Sequence, residues 1–119
     1  MILHITSKRE WAEAQTRGEY IAPSLQTEGF IHCSTEKQVL HVANAFYAGR
    51  TDLVLLVLDE AQLTSELKWE PPAAAPAPGI SDSDKFPHIF GPINLTAVAS
   101  ILDFEPDSAT GTFSSPTDC

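Results

Sequence analysis

The first apolar burst in the chain, "ILHIT" at residues 2–6, alternates as a strand does. It predicts Ile2, His4 and Thr6 on one face and Leu3 and Ile5 on the other. Ser7 then offers a helix N-cap, with Glu10 as its capping-box partner three residues on. The helix should run to about Thr16 or Arg17, where Gly18 can take the left-handed conformation that ends it, and Trp11 and Ala14 should face inward. A Pro-containing connection, "EYIAPSLQTE", leads to a second strand over 29–33. That strand sets Phe30, His32 and Ser34 on one face and Ile31 and Cys33 on the other.

Ser34 or Thr35 caps the next helix, and Gln38 completes a box with Thr35. Val39, Val42, Ala43 and Phe46 recur at helical spacing and predict a core-facing stripe, with Gly49 as the stop and His41 at the surface or its boundary. "LVLLVL" at 53–58 is apolar without alternation, the pattern of a central strand buried on both faces. Further strands are expected at "LKWE" (67–70), near "FPHIFG" and at "AVASILDF" (97–104). The Pro/Ala-rich stretch over 71–85 reads as a flexible loop, and residues 106–119 as a poorly ordered acidic tail. Helices crowd the N-terminal half, so the order predicts an α+β domain spanning 1–105.

Composition narrows the partners. Sixteen acidic against seven basic residues give a net charge of −9, and no basic cluster longer than Lys8-Arg9 occurs. Such a surface repels phosphate backbones, so nucleic acid is not expected as a partner. No apolar run approaches the roughly 20 residues that span a bilayer. The N-terminus lacks the pattern of a signal peptide. With Cys33 and Cys119 the two cysteines, no structural disulfide is expected, which suits a reducing compartment. A cytoplasmic monomer is the expectation.

Candidate chemistry lies in three histidines with similar neighbours: His4 in "LHI", His32 in "IHC" and His88 in "PHI". A half-buried histidine commonly bonds a backbone carbonyl and does nothing else. Three in like settings raise the alternative that they line one cleft. Cys33 cannot pair with His32 as nucleophile and base, because neighbours on a strand face opposite ways; it reads as a small core residue. Ser34 faces as His32 does, and serves equally as an N-cap. Glu70, after Trp69, is a candidate base or ribose ligand, or simply a solvated charge. A three-histidine metal site is a further alternative, although no His-x-His or His-x-x-x-His pair anchors one.

The motifs "LHIT", "EGFIHCST", "QVLHVANAFYAGRTDLVLLVLD", "KWE" and "FPHIFGPI", in this order from residue 2 to about 104, resemble the bacterial family called domain of unknown function 952. Phe90 stands where that pattern has tyrosine. The family is similar to the ADP-ribosyltransferase-like fold, a split and bent β-structure with two N-terminal helices that holds nicotinamide dinucleotide in a cleft. The RNA 2′-phosphotransferases of that fold have comparable His-x-Thr and His-x-Ser strands, which fall here on His4 with Thr6 and on His32 with Ser34.

The resemblance therefore implies a nucleotide-type ligand, NAD or ADP-ribose in kind. His4, Thr6, His32, Ser34 and His88 would contact it, and His4, His32 and Glu70 would serve any catalysis. Arg9, Arg17 and Arg50 all lie outside the motifs, so the phosphotransferases' RNA substrate is not carried over. A non-catalytic binding module with the same fold is the alternative.

Overall fold

The computed structural model describes residues 1–71, 84–107 and 109–113. Strand β1 (Ile2–Ser7) runs into helix α1 (Lys8–Arg17), then β2 (Glu19–Tyr20), α2 (Pro23–Thr27), β3 (Ile31–His32) and α3 (Val39–Phe46). Strands β4 (Leu53–Leu58), β5 (Leu67–Glu70), β6 (Phe86–Ile89), β7 (Ile93–Asn94) and β8 (Val98–Phe104) complete it, with 3-10 turns before β5 and before β8. All strand pairs are antiparallel, in sheets ordered β1-β4-β8, β2-β7 and β3-β6-β5. The expected α+β class is what the structure shows.

The local signals for α1 act as the sequence implies. Ser7 accepts from the backbone N–H of Glu10 at 3.0 Å and its hydroxyl donates to the Glu10 carboxylate at 3.0 Å. Gly18, at φ 95°, closes the helix by donating to the Ala14 carbonyl. Alternation in β1 divides two cores. Ile2 joins Val54, Leu56 and Leu58 on one side of the β1–β4 pair, while Leu3 and Ile5 join Leu53, Leu55 and Val57 on the other. β4 is therefore central and buried on both faces, as its unbroken apolar run requires.

Several expectations need correction. The Pro-containing connection over 19–28 holds two elements of its own, β2 and α2. Pro23 opens α2 at a position where no amide hydrogen is needed, and Tyr20 on β2 is buried. The N-terminal half thus holds three α-helices rather than two. Phe46, assigned to the core stripe of α3, is 61% exposed. Here α3 ends, and the half-buried Tyr47 packs on the core instead. The Thr35–Gln38 box forms, with reciprocal bonds of 3.0 and 3.3 Å, although regular helix starts at Val39.

The tail also differs. Phe113 is 5% exposed, stacks on Phe104 at 4.6 Å, and its N–H donates to the Asn44 side chain at 2.8 Å. One aromatic ring outweighs the polarity of its neighbours. The Pro/Ala expectation over 72–83 and the tail beyond 113 lie outside the described residues.

Candidate functional site

The sheet β3-β6-β5 brings the candidate residues together. Its register sets His32 opposite His88, and His88 opposite Lys68, so the three share one side. Ile31, Ile89 and Leu67 occupy the alternate row and pack in the core. The His32 and His88 rings lie 5.5 Å apart, edge to face. Each imidazole has a carboxylate partner. His88 Nδ1 is 2.8 Å from Glu70 across the β5–β6 pair, and His32 Nε2 is 2.9 Å from Glu28. A carboxylate accepts only, so each bond fixes which ring nitrogen carries hydrogen when the histidine is neutral.

Aromatic rings frame this pair. Phe30 stacks on His88 at 4.3 Å, with His32 at 4.8 Å and Phe90 at 5.4 Å. The Lys68 ammonium sits 5.0 Å over the Phe90 ring, a cation–π arrangement. Stacking leaves His88 only 2% exposed, whereas His32 stays open. Phe30 is held from behind, because the Ser24 hydroxyl donates to its carbonyl at 2.8 Å. Gly29, at φ 88°, supplies the turn between Glu28 and this strand, a conformation side chains avoid.

His4 is placed differently. Its side chain is buried on β1 at 7% exposure, and Nδ1–H donates to the backbone carbonyl of His32. Nε2 lies 2.8 Å from the Tyr20 hydroxyl, which is 3.0 Å from Thr6 Oγ1. Burial lowers the His4 pKa to about 4, opposed in part by the carbonyl bond. The ring is thus neutral, and the Tyr20 hydroxyl lies between its Nε2 and Thr6, donating to Thr6 Oγ1. Burial also pushes the Tyr20 phenol and the Cys33 thiol up, and Cys33 behaves as a core residue.

His32, His88 and Glu70 therefore meet, and His4 reaches them through the His32 backbone. Thr6 supports Tyr20. Ser34 does not face the opening beside His32: it is buried, and its backbone exchanges two bonds with Leu3. Glu28, Phe30 as a stacking partner, and Tyr20 join the site without having been expected from the sequence. The Glu-x-x-x-His spacing of Glu28 and His32, bent by Gly29, was the signal available for the first. Among the described residues no group of three or more His, Cys, Asp or Glu side chains is arranged to hold a metal ion. Nor, among those residues, is any helix long and apolar enough to cross a membrane.

Known proteins resemble the chain at the level of family and fold. The crystal structure of protein CC0527 from Caulobacter crescentus is 28% identical, with a TM-score of 0.78 covering 95% of this chain and 92% of that one. A double mutant of CC0527 matches at 27% identity and the same TM-score, and its solution NMR structure at 29% and 0.71, covering 91% and 87%. No curated protein matches the chain. The family model described as "Protein of unknown function (DUF952)" matches residues 5–101, and the chain belongs to that family.

Proposed function

We propose that the chain binds a nucleotide-type small molecule, NAD or ADP-ribose in kind, on the sheet face that carries His32, His88 and Glu70. The fold would be a variant of the ADP-ribosyltransferase-like structure. The observation that carries this reading is the pair of imidazoles 5.5 Å apart, each oriented by a carboxylate and flanked by Phe30 and Phe90. Aromatic faces suit a planar base. Carboxylate and imidazole acceptors suit ribose hydroxyls.

Catalysis on this site would be ADP-ribosyl transfer or glycosidic cleavage. Glu70 would stabilise positive charge growing on the ribose ring, and His32 would hold or move a proton. His4 and Thr6 would brace the site from within, and Ser34 would contribute through its backbone. The protein would act as a cytoplasmic monomer, without nucleic acid, in keeping with its charge of −9.

Titration calorimetry with NAD, ADP-ribose and nicotinamide tests this directly. Binding that His32→Ala abolishes, at unchanged melting temperature, is the expected result; heat from none of the three ligands rejects it. A second reading, a binding module without turnover, is favoured by the carboxylates being already engaged with the histidines. Chromatography for nicotinamide released from NAD separates the two.

A further inference from the structure

The backbone bonds explain why His4 sits where it does. Just past β3, Cys33 N–H donates to the Pro87 carbonyl at 3.0 Å, so these two hold a hydrogen-bonding position of the ladder with β6, with a single bond because Pro87 has no N–H. His32 and His88, one residue along, are then a non-hydrogen-bonded pair, in which side chains come closer. The same alternation turns the N–H and C=O of His32 away from β6. On that outer side β1 meets the chain two residues past β3, where Leu3 and Ser34 exchange two bonds of 2.8 Å. Continuing that antiparallel register would set Ile5 against His32, yet the pairing stops at the single bridge. The carbonyl of His32 is met instead by Nδ1 of His4. An imidazole N–H stands in for a backbone N–H where the strands part.

We propose that His4 is a positioning residue that wedges the parting of β1 and β3, and that by holding the His32 carbonyl it sets the orientation of the His32–His88 pair. The wedge is braced in turn by Tyr20, whose strand β2 pairs with β7. The geometry stands apart from any ligand, but its effect on binding rests on the reading of the His32–His88 face given above.

Two amide substitutions isolate the bond. Asn at position 4 places an N–H near Nδ1 and can reach the carbonyl, whereas Gln reaches towards Tyr20. Side-chain NMR of His32 and His88 in the ligand-free protein is the first readout, and calorimetric binding of ADP-ribose the second. His4→Gln should displace both histidines' ring resonances and weaken ADP-ribose binding about tenfold, the scale of one lost hydrogen bond. His4→Asn should keep both near wild type. Tyr20→Phe, which leaves the carbonyl bond intact, should barely move the two rings. Equal resonances in the Gln and Asn variants overturn the wedge, as does a larger displacement in Tyr20→Phe than in His4→Gln. The expected resonance pattern without ADP-ribose binding in the wild type keeps the wedge and rejects the ligand reading.

Discussion

A proton is harder to place on His4 in the folded chain than in the unfolded one, since its pKa falls from 6.5 to about 4 on burial. Above 6.5 the ring is neutral in both states and its stabilising contacts are fully present. As the pH drops towards 4 the unfolded chain takes up a proton that the folded chain refuses, and stability falls by up to about 3 kcal/mol. Urea midpoints measured between pH 7 and 4 should show this slope, and His4→Asn should flatten it. A slope unchanged by that substitution would place the acid sensitivity elsewhere. The three histidines were legible in the sequence because each interrupts an apolar run. Their partners were not, since Tyr20 lies in a stretch with no periodic pattern, and Glu28 meets His32 only through the bend at Gly29.

Elements defined by neighbouring residues were the legible ones. The boundaries of α1 follow from Ser7, Glu10 and Gly18, all within one chain segment. Ser7→Ala should cost about 1 kcal/mol in a thermal or urea melt. The side that a helix end presents depends on distant packing, which explains the misplacement of Phe46 and the unforeseen docking of Phe113. The two phenylalanines therefore make a paired prediction. Phe113→Ala should destabilise by about 3 kcal/mol, as core aromatic truncation does. Phe46→Ala should stay within about 0.5 kcal/mol, as a surface change. Equal losses in chemical denaturation would show that Phe113 is not anchored.

For the molecule as a whole, a charge of −9 on 119 residues means self-repulsion in the compact state. Raising salt from about 0.01 to about 0.15 M shortens the screening length roughly threefold to fourfold and should raise the melting temperature. A falling melting temperature would mean that attractive surface pairs, such as Arg50 with Asp52, outweigh the repulsion.

The β4 strand has one more consequence at this scale. Because "LVLLVL" is apolar at every position, sliding it by one residue would exchange the tenants of the two cores with a polar penalty only at its ends, where Asp52 or Asp59 would enter a buried position, so the interior of the strand carries little instruction about its own alignment. That instruction is written on its neighbour. His4 must reach both the His32 carbonyl and Tyr20, Thr6 must reach Tyr20, Ser7 must reach Glu10, and Lys8 N–H must reach the Asp52 carbonyl at 2.8 Å. The polar residues of β1 thus serve as the ruler against which the greasiest strand of the protein is measured.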